Sequence, residues 1–390
     1  MSLNDTAFAR LTTQVAQRSV VLVAGPTRDP VRWASQFLRH LDVPRVLLVS
    51  VDPVTSSDSR IECIHVGGAE GSDLERIRAY CRLLFDEPSH PLASKIKHWD
   101  QATEAVVVLS SYLQRPRPQR LFNRPVLGGR LKRWIEIEDK MAQPAIWRSA
   151  GVNGTADYAS VRLHQRARFH QECRRLSHRT SGVVVALSST NGNNAAGEGT
   201  YWLTGDGGCR GGGGEMRTKL HSEALSARIM PYYEGTPCSV HGLVMANGVA
   251  VLDPMVQMID FDEGSGRFRY RGIEPDGGQL GGSGQVLRGM ALRVGEVLSR
   301  DFRYCGAFSL DAIATDDGQV VLTEINSRLS DGFWALECDD VAPLALYDLA
   351  IRTGNWPEIG AVELEDHIRQ ITTDRRQSRS LAPSTPRASH

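Results

Sequence analysis

The sequence predicts an α/β protein: a small doubly wound α/β domain over residues 1–125, then a larger mixed region of strands and helices over 126–360. Three observations predict it. Continuous apolar runs at Ser19 to Ala24, Arg45 to Val51 and Ala105 to Leu109 read as strands buried on both faces. Amphipathic helical stretches separate them, which is the β-α-β alternation of a parallel sheet. From Ser181 onward, strand-like runs instead follow one another through glycine-containing turns, as antiparallel hairpins do.

Residues 1–17 suit a short helix. Gly25-Pro26 ends the first strand, and Asp29-Pro30 starts a helix with Trp33, Phe37, Leu38 and Leu41 on one face. Ile61 to Val66 reads as a third strand and Leu74 to Phe85 as an amphipathic helix. The first turn, AGPTRDP, lacks G-x-G-x-x-G, so nothing supports a dinucleotide site. Residues 114–125, QRPRPQRLFNRP, are rich in Pro and Arg and read as a linker. Thr155 to Arg179 reads as a long basic helical stretch. Ser181 to Ser188 is a strand, after which STNGNNAAGEGTYWL runs as a glycine-rich loop into another strand. A second glycine-rich loop, GDGGCRGGGG, covers 205–214, and Glu215 to Ala227 reads as a helix. Strands around an Asn247-Gly248 turn follow. Arg267, Arg269 and Arg271 share one strand face and read as a solvated basic strand. Gln285 to Phe302 is an amphipathic helix carrying Val286, Met290, Val294, Val297 and Leu298, and Asp340 to Arg352 is another helix. Residues 361–390, polar and Ser/Pro/Arg-rich towards the end, read as a disordered tail.

The chemistry concentrates in Gly306 to Arg328, GAFSLDAIATDDGQVVLTEINSR. Ala307 to Ala314 and Gln319 to Ile325 read as two strands joined at Asp317-Gly318, a pair suited to a tight turn. Side chains alternate faces along a strand, so Glu324 and Asn326 share a face, and the turn brings Asp311 beside them. Two carboxylates and an amide oxygen form a hard-oxygen set for Mg²⁺, which keeps waters and takes phosphate oxygens as its other ligands. The expected partner is a nucleotide polyphosphate.

An Asp on one strand, a D-G turn and Glu-x-Asn-x-Arg thirteen residues after the Asp resemble the metal-binding core of the ATP-grasp superfamily. The resemblance covers roughly residues 138–335. It implies an ATP-grasp fold preceded by the small α/β domain such enzymes carry, with a lid subdomain at about 180–228. Asp311, Glu324 and Asn326 would hold Mg²⁺ on the phosphates of ATP. Asp139-Lys140 followed by Ala150-Gly151-Val152 resembles the family's entry segment, whose lysine reaches those phosphates. The loop containing Gly197 and Gly199 resembles the glycine-rich lid. Tyr232 and Glu234 fall in the linker that holds adenine and ribose. Arg328 would neutralise a transferring phosphoryl group or an acyl phosphate. Several positions depart from the pattern. Val185, Ala186 and Leu187 stand where the lid strand carries a lysine, leaving Arg210, Arg217 or Lys219 as candidate substitutes or a greater reliance on Lys140 and metal, and Ser309 stands where many relatives have an arginine.

The implied reaction activates a carboxylate as an acyl phosphate and passes it to an amine, releasing ADP and phosphate. The motif flavour resembles bacterial ligases that join amino acids or peptides in specialised metabolism. Two alternatives share the core: a carboxylase-type subunit that uses bicarbonate, and a degenerate ATP-binding protein without chemistry. The missing lid lysine favours the latter, and the intact acid set disfavours it. The implied partners are a small-molecule carboxylate and an amine. Many relatives are dimers, which makes a homodimer the expected assembly if the chain pairs. Acidic and basic residues balance at 45 each, which argues against nucleic acid, and no apolar run approaches the ~20 residues of a membrane helix. The seven scattered cysteines include no C-x-x-C pair and the start lacks a signal peptide, so a cytoplasmic protein is expected.

Overall fold

The structure is a computed structural model. It describes residues 3–25, 29–66, 73–86, 91–152, 157–178, 180–189, 199–204, 225–337, 341–356 and 359–380.

The chain opens with a helix, α1 (Leu3–Val15), that buries Ala7, Phe8, Leu11 and Val15. The first strand, β1 (Val20–Val23), is buried at every position, as a central parallel strand must be. Helix α2 (Pro30–His40) starts where the sequence predicts: Asp29 accepts a hydrogen bond from the backbone N–H of Arg32 at 2.9 Å, and Pro30 occupies the first turn. Strands β2 (Val46–Ser50), β3 (Ile61–His65) and β4 (Val106–Leu109) follow, with helices α3 (Asp73–Phe85) and α4 (Pro91–Trp99) before the last. The Pro- and Arg-rich segment is not a free linker. It forms β5 (Arg120–Leu121) and β6 (Arg124–Gly128), and β6 pairs with β4 in parallel. Buried Arg124 meets Asp100 at 2.6 Å, so a residue type that suggested solvent instead anchors the edge. The sheet order is β3-β2-β1-β4-β6-β5.

Two short helical pieces, α5 (Lys132–Ile135) and a 3₁₀ turn (Glu136–Glu138), lead through Lys140 to α6 (Gln143–Ser149). The expected long basic helix is two elements. Strand β7 (Ala159–Arg162) comes first, then α7 (Arg166–Ser177) with Phe169, Cys173 and Leu176 buried. The first is an edge strand paired with a segment more than sixty residues away, a contact that local periodicity does not reveal. Strands β8 (Val183–Ser189), β9 (Thr200–Leu203) and β10 (Leu225–Pro231) complete a small antiparallel sheet. Residues 225–227 are therefore strand, correcting the expected helix, whose remaining residues lie outside those described.

The last third builds the core sheet. Strand β11 (Thr236–Met245) pairs with β12 (Gly248–Val251), β13 (Met255–Asp262) and β15 (Gly306–Ala314). Strand β14 (Arg267–Pro275) pairs with β13, and β15 with β16 (Val320–Asn326). Between them runs α8 (Gly282–Phe302), which buries Leu287, Met290, Ala291, Val294, Val297 and Leu298 at helical spacing. Val286, expected inward, is 47% exposed, and Leu287 takes the buried place. The small sheet joins the core sheet where Arg267 of β14 opposes Tyr201 of β9. Helices α9 (Asp331–Leu336), α10 (Leu344–Arg352) and α11 (Ala361–Ser380) finish the chain. The last corrects the disorder expected for 361–380. Leu364 and Ile368 are buried, and Glu365 accepts from both Arg288 and the Val251 backbone. Residues 381–390 lie outside those described.

One apolar cluster binds the two sheets together. It joins Val20, Leu22, Val46 and Leu48 of the parallel sheet with Leu243, Met245 and Ala307 of the core sheet, through Phe333 and the α10 side chains Leu346, Leu349 and Ala350.

Candidate active site

The β15–β16 hairpin turns at Asp317-Gly318. Gly318 sits at φ +81°, a conformation that a side chain disfavours, and Asp317 accepts from the Gln319 side chain at 2.8 Å. The register places Asp311 opposite Glu324 and Ser309 opposite Asn326. It then shifts, with Ala312 opposite Leu322, so Thr323 is the extra residue of a bulge beside the paired acids. All of Ser309, Asp311, Glu324 and Asn326 face one side.

Asp311 is the hub. The Asn326 amide donates to its Oδ2 at 3.1 Å, which leaves the Asn326 amide oxygen available as a ligand. Ser239 of β11 and Gln257 of β13 both donate to its Oδ1, Gln257 at 3.0 Å, and Gln257 also donates to Ser239 at 2.6 Å. Burial and then the Glu324 charge push the Asp311 carboxyl up to about 6. Two carboxylates facing each other with insufficient positive charge are the electrostatic condition a divalent cation relieves. The donor set is also all oxygen, so these residues fit Mg²⁺.

Lys140 lies 2.9 Å from Glu324 and is almost fully buried. Its neighbour Asp139 accepts from the Met141 backbone at 3.0 Å and faces Ser188 of β8 at 3.5 Å, so the entry segment touches the small sheet. Arg228 of β10 reaches the same place. Its guanidinium donates to the Lys140 carbonyl and the Gln143 side chain, each at 3.3 Å, and to the carbonyl of Thr323, and stacks over Trp147 at 5.2 Å.

Arg328 lies deeper, in a buried triad. Glu138 accepts from Arg328 at 2.5 Å and from Arg130 at 2.6 Å. Burial alone would raise the Glu138 carboxyl, but the two arginine charges outweigh it and hold it low. Arg328 also stacks over Tyr112 at 5.5 Å, and Leu329 N–H donates to Ser111 at 3.2 Å. Ser111 and Tyr112 follow β4, which neighbours β1 where the order of the parallel sheet reverses. That position is where open α/β sheets form a crevice at the carboxyl ends of their strands.

Other expected residues are placed less centrally. Gly199 is buried, and its carbonyl accepts from Leu187 at 2.8 Å, while Gly197 lies outside the described residues. The Tyr232 ring stacks on Trp202, centroids 4.3 Å apart, and its N–H donates to Gly182 at 3.0 Å; Glu234 is exposed. Arg269 and Arg271 pair with Asp262 and Asp260 on an exposed ribbon, in keeping with a solvated strand. Arg210, Arg217 and Lys219 lie outside the described residues. Sequence reasoning missed Ser239, Gln257, Glu138, Tyr112 and Arg228. The first two share the alternation of β11 and β13 that faces Asp311, a signal readable only once strand pairing is known. A recess of about 370 Å³ lined by Arg18, Arg45, His98 and Trp99 includes none of the hairpin residues.

No protein-family model matches the sequence, and no curated protein matches it. Solved structures do match in shape. Biotin carboxylase from Campylobacter jejuni, in a β,γ-ATP complex, superposes with a TM-score of 0.59 at 11% identity, covering 90% of this chain and 74% of that one. Carboxyaminoimidazole ribonucleotide synthase from Aspergillus clavatus, complexed with ATP, gives 0.55 at 15% identity, with 89% and 79% covered. The D-alanine-D-alanine ligase from Coxiella burnetii gives 0.50 at 12% identity, with 93% and 99% covered. The chain has the ATP-grasp fold of these ligases.

Proposed function

We propose that this ATP-grasp chain is an ATP- and Mg²⁺-dependent carboxylate–amine ligase that forms an amide or peptide bond through an acyl phosphate. The observation that carries the reading is the cross-strand set of Asp311, Glu324 and Asn326, with Lys140 held on Glu324. A pure scaffold has no use for a buried Asp311 carboxyl raised by burial and by the Glu324 charge beside it. Mg²⁺ held by those three residues would offset charge on the phosphates.

The chain's own residues account for the remainder. Lys140 offers a compact charge to the polyphosphate, exchanging its Glu324 partner for a phosphate oxygen. The γ-phosphoryl group moves to the substrate carboxylate: its bond to the ADP oxygen breaks, and a bond to the carboxylate oxygen forms. The amine then attacks the acyl carbon, phosphate leaves with the bonding electrons, and the amine proton passes to solvent. The Arg130–Glu138–Arg328 triad carries one net positive charge beside the crevice after β4, and Arg328 is the residue of the three set to meet an oxyanion there. The small sheet meets the entry segment through Ser188 and Arg228, and on that side it helps keep water from the acyl phosphate. Tyr232 would offer its backbone carbonyl to the adenine edge, because its N–H is taken by Gly182 and its ring by Trp202.

The test is ADP release from Mg-ATP by the full chain with a panel of amino acids and short peptides, beside Glu324→Ala. Amine- and carboxylate-dependent ADP, lost in the variant, is the expected outcome. AMP and pyrophosphate would overturn the acyl-phosphate route. Bicarbonate-dependent ADP would favour the carboxylase-type alternative, and nucleotide binding without turnover on any substrate the degenerate one.

A further inference from the structure

Arg228 is an unusual buried residue. It is 1% exposed, yet among the described residues no carboxylate pairs with it. Its acceptors are two carbonyls and an amide oxygen, all neutral, and its Nε is buried with no partner among those residues. A buried cation without a contact counter-ion is costly, and burial pulls its pKa down to about 10. Such a cost persists where the charge serves a neighbour. The neighbours are specific. One acceptor is the carbonyl of Lys140 itself, and another is the carbonyl of Thr323, the bulge residue next to Glu324. A bulge leaves its extra residue outside the strand ladder, and here Arg228 takes up the freed carbonyl. The third acceptor, Gln143, in turn donates to the Ile325 carbonyl at 2.8 Å. Arg228 projects from β10 of the small sheet, opposite Ala186 of β8, a strand that carries no cation of its own.

We propose that Arg228 is a positioning residue for nucleoside polyphosphate. It locks the Lys140 segment and the Glu324 bulge onto strand β10 of the small sheet, and it adds fixed positive charge behind Lys140. The proposal rests on the nucleotide-binding reading above. Lys140 and Glu324 then keep their relative position whether or not they are paired with each other. The fixed guanidinium adds to the positive field at Lys140 without touching the polyphosphate itself.

The test is a nucleotide ladder. Mg-ATP, Mg-ADP and AMP are titrated by calorimetry into the full-length wild type, Arg228→Met, Arg228→Gln and Arg228→Lys, each checked for folding by circular dichroism. Loss of a charged hydrogen-bonding group predicts Mg-ATP binding weakened about tenfold or more in Arg228→Met. The loss shrinks along the series from ATP to AMP, because each phosphate removed takes charge with it. Arg228→Lys, which keeps the charge but loses the fork of hydrogen bonds, falls between wild type and Arg228→Met. Equal losses for all three nucleotides would mean that Arg228 merely supports the fold and would overturn the proposal, as would an unchanged ladder in a folded variant. If Arg228→Met does not fold, Arg228→Gln is read by the same criteria. A wild type that binds no nucleotide overturns the ligase reading and this proposal together. A wild type that binds, beside a folded variant with the same ladder, overturns this proposal alone.

Discussion

Glu138 shows how much of the site depends on single charges. It sits beside Asp139-Lys140, a pair noticed for its lysine, and nothing local marks it as the counter-ion of two arginines. Arg130 is close in sequence, but Arg328 lies on the far side of the core sheet's sequence, and only the fold brings them to one carboxylate. Replacing Glu138 by Gln leaves Arg130 and Arg328 buried side by side without a counter-charge. The expected cost is about 3–5 kcal/mol, the usual penalty for breaking a buried ion pair from one side. Urea denaturation of the two proteins at pH 7 measures it as a lower midpoint at unchanged slope. A change under about 1 kcal/mol would mean that water reaches the triad and that Arg328 is freer than its burial implies. Asp311, Glu324 and Asn326 were legible because strand alternation and a turn signal suffice to unite them. Ser239 and Gln257 were not, because their contribution depends on which strands neighbour β15.

At the scale of elements, parallel strands, the hairpin and α8 were readable from apolar runs and helical spacing. The elements that went unread fall into two kinds. Strands at or next to a sheet edge, such as β6 and β7, have weak or disguised alternation and owe their state to a partner. Helix α11 has polar composition, and its anchoring by Leu364, Ile368 and the Arg288–Glu365 pair comes from distant packing. Helix α9 poses a sharper question, since it follows Arg328 and must sit close to β11. Gly332 is what permits this: a Cβ there would collide with the ring of His241. Gly332→Ala is therefore expected to destabilise the protein by about 1–3 kcal/mol through overpacking. Combined with His241→Ala, most of that penalty should vanish, giving a coupling of about 1 kcal/mol or more in a double-mutant cycle. Additive losses would show that the penalty at 332 does not come from the His241 ring and that the glycine serves another purpose.

His241 also connects the site to the stability of the molecule as a whole. Its ring lies edge-on to Phe333, 5.3 Å between centroids, and Phe333 belongs to the apolar cluster that joins the two sheets. Burial pushes the His241 pKa down to about 3, from an ordinary 6.5, and its Nδ1 is buried without a partner among the described residues. The imidazole is thus neutral in the folded protein, while the unfolded chain takes up a proton below pH 6.5. Folding is favoured in full above that pH, and the advantage is lost progressively as the pH falls toward 3, at up to about 1.4 kcal/mol per pH unit. Other groups titrate in the same window; Asp311, raised to about 6, acts in the opposite sense. The informative quantity is therefore the difference in unfolding free energy between wild type and His241→Ala, measured by urea at several pH values from 7.5 to 5. That difference should be flat above pH 6.5 and shrink below it, because the variant lacks the ionising group. A difference independent of pH would mean that His241 is charged or hydrated in the folded state. The seam between β11 and α9 would then be wet, and the Arg328 crevice would open to solvent along the junction that unites the two sheets.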